Sequence, residues 1–149
     1  MWKTRYFSIA EFEFGKPLSR EHRDLALKHA TLLDPVRQFC RGQLAVTSFL
    51  RGTSGSHRDG LAVDVQPWKG TDLFVRRIAD FMAALYRPGN RVSPLHQIIY
   101  EAPEPGQMRA HIHIVLSAYQ GGATHGYLLD LEGNRQYVTT ALPHITMET

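Results

Sequence analysis

The sequence predicts a single α+β domain. Its 149 residues are enough for one domain with a real hydrophobic core and no covalent staples. Two long stretches repeat apolar residues at spacings of three and four, the period of an amphipathic helix. Shorter apolar or alternating runs, bounded by Gly and Pro, read as strands, and two pairs of them read as hairpins.

Tyr6 to Phe14 carries aromatics on alternating or near-helical positions, and Ser8 with Glu11 three residues on forms a capping-box pattern. Gly15-Lys16-Pro17 breaks it. Ser19 is the expected N-cap of a long helix, along which Leu25, His29, Leu32, Val36 and Phe39 share a stripe. Pro35 predicts a kink or a fresh start after Asp34. His29 reads as a satisfied core or boundary histidine, and Gly42 ends the helix. Leu44 to Leu50 is the first strand, and Leu61 to Val65 begins the second. After a Pro67–Gly70 loop, Thr71 or Asp72 caps a second helix whose apolar side is Leu73, Ile78, Phe81, Met82 and Leu85. Arg87-Pro88-Gly89-Asn90 closes it. His96 to Glu101 and His111 to Leu116 read as a hairpin with a long tip, which places the Glu101 end near His111 and His113. In the tail, Gly121-Gly122 and Gly133-Asn134 are turns. Tyr127 to Leu131 and Gln136 to Thr140 form a terminal hairpin, with His125 and His144 assigned to solvent.

Composition narrows the function. The formal net charge of +3 is mild, and no Lys/Arg run marks a phosphate-tracking stripe, so nucleic acid is not an expected partner. The one cysteine, Cys40, allows no disulfide within the chain and reads as a small buried hydrophobe. No apolar run approaches membrane length, and Met1 to Tyr6 lacks the apolar core of a secretion signal. The expected chain is made in the cytoplasm without a signal peptide.

The chemistry centres on His57 and Asp64, seven residues apart with Gly60 between them. A loop histidine and a strand aspartate can converge if the chain turns at Gly60, which tolerates positive φ. Imidazole and carboxylate are both good zinc ligands. His111 and His113, two apart on a strand, point to the same face. One of them added to the His57/Asp64 pair gives three protein ligands and leaves a tetrahedral position open, as in catalytic sites. Arg51, at a strand end beside this loop, would hold a carboxylate or oxyanion through its fork of donors, or is a surface arginine. Glu101, with Glu104 as its rival, is the carboxylate placed to act as general base and then acid.

Four segments in order resemble the M15-type peptidases, the zinc D-Ala-D-Ala carboxypeptidases and murein endopeptidases that share the Hedgehog/DD-peptidase fold. They are Leu33 to Arg37, Val46 to Arg51, His57 to Asp64, which fits H-x-x-G-x-A-x-D in full, and Gln97 to Glu101 followed by Ile112 to Ile114. The similarity spans about residues 7–117 of a single domain, leaving 118–149 as a C-terminal hairpin extension. The resemblance implies a small, mostly antiparallel sheet with helices packed on one face. It implies His57, Asp64 and His113 as zinc ligands, Glu101 as the catalytic carboxylate and Arg51 as a substrate-binding or carbonyl-polarising residue. Peptidoglycan stem peptide would be the substrate.

The chain departs from the family pattern in three places. A serine expected two residues before the first histidine is Gly55, flanked by Ser54 and Ser56, so Ser56 stays a candidate. A tryptophan expected two before the last ligand is His111, which would compete for metal or contact substrate. The Glu101–His113 interval is longer, which keeps Glu104 in contention. The expected protein therefore acts at the bacterial cell wall, as a released lysin or a virion component. The alternative expectation is a bacteriophage tail or baseplate part built on the same fold, with or without cutting activity. A regulatory metal-binding domain or another zinc hydrolase is a third reading, though the chain has no HExxH motif.

Overall fold

The computed structural model describes residues 2–51, 56–103, 106, 109–118, 125–131 and 134–138. Helices α1 (Ala10–Glu13) and α2 (Arg20–Phe39) precede strands β1 (Leu44–Ser48) and β2 (Ala62–Pro67). Helix α3 (Asp72–Tyr86) follows, then β3 (Leu95–Glu101), β4 (His111–Leu116), β5 (Gly126–Leu131) and β6 (Asn134–Tyr137). The strands form one sheet in the order β1-β2-β4-β3-β5-β6. Neighbours run antiparallel except β3 and β5, which are parallel. The class is α+β with a six-stranded mixed sheet. No described helix is long and apolar enough to cross a membrane.

Alternation along the central strands separates two faces. Val63 and Val65 of β2, Ile98 and Tyr100 of β3, and Ile112, Ile114 and Leu116 of β4 join the main core. The same core takes Ala26, Ala30, Leu33 and Val36 of α2 and Phe74, Ile78 and Met82 of α3. The other face of these strands carries Asp64, Glu101, His111 and His113.

Helix α2 starts where Ser19 accepts a hydrogen bond from the His22 N–H at 3.2 Å. It runs through Pro35 without a fresh start at Asp34. Pro35 removes one backbone donor, but Leu33, Val36 and Cys40 on either side are all buried, and that packing keeps the helix whole. The C-terminus is a Schellman closure, with Arg41 N–H bonded to Gln38 O and Gly42 N–H to Arg37 O. At the start of α1, the Glu11 carboxylate accepts from the Ser8 N–H at 2.8 Å, one half of the capping box.

Thr71 caps α3 by accepting from the Phe74 N–H. The buried stripe of α3 is Phe74, Val75, Ile78, Ala79, Met82 and Ala83, whereas Leu73 and Leu85 are exposed. Leu73 lies on the side of the helix away from that stripe, and Leu85 sits in its last turn, at the end of the stripe. Strand β1 ends at Ser48 and not at Leu50. Its register shifts between Val46 and Ser48, and Phe49 turns fully into the core.

Strands β5 and β6 form an antiparallel hairpin ending at Tyr137, and β5 lies parallel to β3. His125 is exposed. Gly121, Gly122, Gly133, Thr139, Thr140 and His144 lie outside the described residues.

Gly60 is buried at φ +77, and a Cβ there would stand 3.2 Å from Leu25 Cδ1 and 3.4 Å from Phe49 Cζ. Gly42 has φ +84 but open space around it. Each Gly→Ala change should cost about 1–2 kcal/mol for the left-handed backbone alone. Gly60→Ala should cost more than Gly42→Ala in urea unfolding, because only it also crowds the core. Equal midpoints would show that the Gly60 packing is not tight.

Candidate metal centre

Strands β2 and β4 pair so that Asp64 stands directly opposite His113. Side chains of a directly opposed pair share a face a few ångströms apart. The His113 Nδ1 lies 2.9 Å from Asp64 Oδ1. His57 reaches the same point from the turn before β2. Its Nδ1–H donates to the Phe49 carbonyl at 2.7 Å, which turns Nε2 toward the other two. That Nε2 is 3.2 Å from His113 Nδ1 and 3.3 Å from Asp64 Oδ2.

The ligand atoms of His57, Asp64 and His113 all lie within 4.8 Å of one another, close enough to bind one metal ion. The donor set suits it. With Nδ1–H of His57 committed to a carbonyl, the neutral ring offers Nε2 as a lone pair, and such an outer hydrogen bond is usual for a metal-binding histidine. Three acceptors that converge in this way repel unless a cation, a proton or a metal, stands among them. The same cluster acts on Asp64. Burial alone would raise its carboxyl, but with no metal bound and with His113 and His57 protonated, their hydrogen bonds and charges hold it well below the usual carboxylate range.

Arg51 pairs with Asp64, Nη2 to Oδ2 at 3.1 Å, while its side chain remains 59 % exposed. It is therefore tied to a candidate ligand and still presents most of its surface to solvent. Glu101 and His111 form the next rung along the same face. Glu101 Oε1 is 3.4 Å from His111 Nε2, and Asp64, Glu101 and His111 make a second group within 4.8 Å. The hydrogen bond to Glu101 raises the His111 pKa, and partial burial opposes it. Ser56 gives its carbonyl to the Leu61 N–H, at the turn that launches β2. Glu104 lies outside the described residues.

Sequence reading did not show the groups that hold His57 in place. The Phe49 carbonyl carries no sequence signature, because any residue supplies one. His29 donates from Nε2 to the Gly60 carbonyl at 3.0 Å, and its ring meets Phe49 edge-on at 5.7 Å. It thus braces both the turn and the residue that orient His57. A cavity of about 700 Å³ opens beside the cluster, with Arg51, Asp64 and His111 in its wall. Another, of about 610 Å³, sits between the end of α3 and β5 and has no cluster residue in its lining.

Comparison of the chain with protein-family models, curated proteins and solved structures found no match.

Burial lowers the His29 pKa from 6.5 to about 4, against the raising effect of its bond to Gly60. The unfolded chain thus takes up this proton first as pH falls. The stability that neutral His29 contributes is whole above pH 6.5 and is lost as pH drops toward 4. The shift corresponds to about 3 kcal/mol. Urea unfolding at pH 7.5 and 4.5 should show a steeper loss in the wild type than in His29→Gln, which keeps a donor but does not titrate. Parallel losses would mean that His29 charges freely in the fold.

Proposed function

We propose that this chain is a zinc-dependent peptidase that cleaves peptidoglycan stem peptides at the bacterial cell wall, on a Hedgehog/DD-peptidase type of fold. One observation carries the reading. His57, Asp64 and His113 converge on one sheet face, beside an open cavity, with Glu101 on the next rung. Two imidazoles and a carboxylate are a donor set that zinc accepts, and three ligands leave a position for a reactant. Zinc, when bound, supplies a Lewis acid that brings the pKa of water to about 7 and polarises a carbonyl.

The chain's own groups do the rest. Glu101 takes the proton of the attacking water and passes it to the leaving amine. Its pairing with His111 orients the carboxylate across the strand. Arg51 is the exposed cation beside the ligands, placed to steady negative charge on the carbonyl oxygen. His57 is kept in one tautomer by the Phe49 carbonyl and so presents Nε2 without a proton.

Purified protein should hold about one zinc per chain. Incubated with purified murein, it should release new amino termini if it is an endopeptidase, or D-alanine if it is a carboxypeptidase. Glu101→Ala should keep the metal and lose roughly 10²–10⁴ in turnover. His57→Ala should lose both. Zinc without cleavage of several mureins would favour a structural tail or baseplate role, and no zinc would remove the site.

A further inference from the structure

The cavity beside the cluster carries more positive than negative charge. Among the described residues, Arg51, Lys69 and Arg109 line it against one carboxylate, Asp64, which Arg51 already pairs. The Nη1 of Arg109 is buried and has no hydrogen-bond partner among the described residues. Native structures seldom leave a buried donor, least of all a charged one, without an acceptor. The backbone under Arg109 is well held. Gln66 Nε2 donates to the Arg109 and Ala110 carbonyls at 3.4 and 2.9 Å, and Asp72 accepts from the Ala110 N–H at 2.9 Å. The backbone of Arg109 is thus held from its C-terminal side, and its side chain lines the cavity. Trp68 stands in the same wall as an apolar surface, 61 % exposed.

We infer that this cavity is a subsite for a carboxylate of the substrate peptide, held by Arg109 and Lys69 next to Arg51. The kind of ligand rests on the peptidase reading. A peptide's anions are carboxylates, and the planar fork of an arginine matches a carboxylate with two parallel bonds. Lys69 adds a point charge on the same wall. Trp68 covers the apolar part of whatever residue bears the carboxylate. A substrate lacking that group leaves Arg109 unpaired in the complex, so discrimination is built into the cavity.

The test measures binding and not cleavage. Two probes serve, acetyl-D-alanyl-D-alanine, whose sole charge is its terminal carboxylate, and the same compound amidated. Titrated into the Glu101→Ala protein, which leaves the probe intact, the acid should bind about tenfold tighter than the amide. Adding Arg109→Ala should weaken the acid about tenfold and leave the amide unchanged. Arg109→Lys should restore part of the loss. Lys69→Ala, on an exposed side chain, should weaken the acid severalfold and covers the case in which Arg109→Ala does not fold. Acid and amide binding alike, neither binding at all, or both alanine variants keeping full acid affinity would overturn the inference. Inorganic phosphate binding as tightly as the acid would also overturn it, since the cavity would then take any anion. A protein that binds the acid through Arg109 yet cuts no murein keeps this subsite and loses the peptidase reading.

Discussion

The register between β2 and β4 sets where everything else must be. With Asp64 opposite His113, a carboxylate and an imidazole share a face at hydrogen-bond distance. A slip of one residue would send one of them into the core and bring Val63 or Val65 out. The apolar residues between them prevent it. Val63, Val65, Ile112 and Ile114 are buried, so the hydrophobic face and the polar face specify the same register. The same pairing carries over to β3, where Ile99 stands opposite His113 and Glu101 opposite His111.

A buried carboxylate must be compensated, and here the compensation is shared. Asp64 is met by two histidines and one arginine. Burying a charge is costly unless it is paired, and removing one partner leaves the rest exposed to that cost. His57 can play its part only because Phe49 leaves the strand after Ser48. That turn sends the phenylalanine ring into the core and frees its carbonyl for the imidazole. His29, one layer further in, braces Gly60 and the Phe49 ring. Local irregularity at the end of β1 is thus what makes the centre reachable from the loop.

Much of this was legible in the sequence because it depended on local signals. Ser19 capped α2, Thr71 settled between two candidates for α3, and the alternation of His111 to Leu116 placed both histidines on one face. What escaped was decided at a distance. Pro35 looks like a break until its neighbours are found to be buried. Leu73 and Leu85 pass for core residues of the helix, but Leu73 lies opposite the buried stripe and Leu85 sits in the last turn, at its end. The parallel pairing of β3 with β5 has no local mark, since any strand offers the same backbone groups. For Arg51 the sequence left a surface and a binding role open, and its pairing with Asp64 depends on how β1 ends. The cradle under Arg109 uses Gln66 and Asp72, from a strand and a helix that precede it by about forty residues.

His113 and Asp64 are 49 residues apart in the chain, and His113 and His57 are 56 apart. No short piece of the sequence can assemble this centre. It comes into being only after a long loop has closed, a step whose entropy must be lost before any contact at the centre rewards it. A cation bound between β2 and β4 would tie the ends of that loop, in a chain whose one cysteine is buried and free. Such a tie acts on the rate at which the strands part. Occupied, the centre would also be a clasp, and the folded chain would open more slowly with the ion than without it.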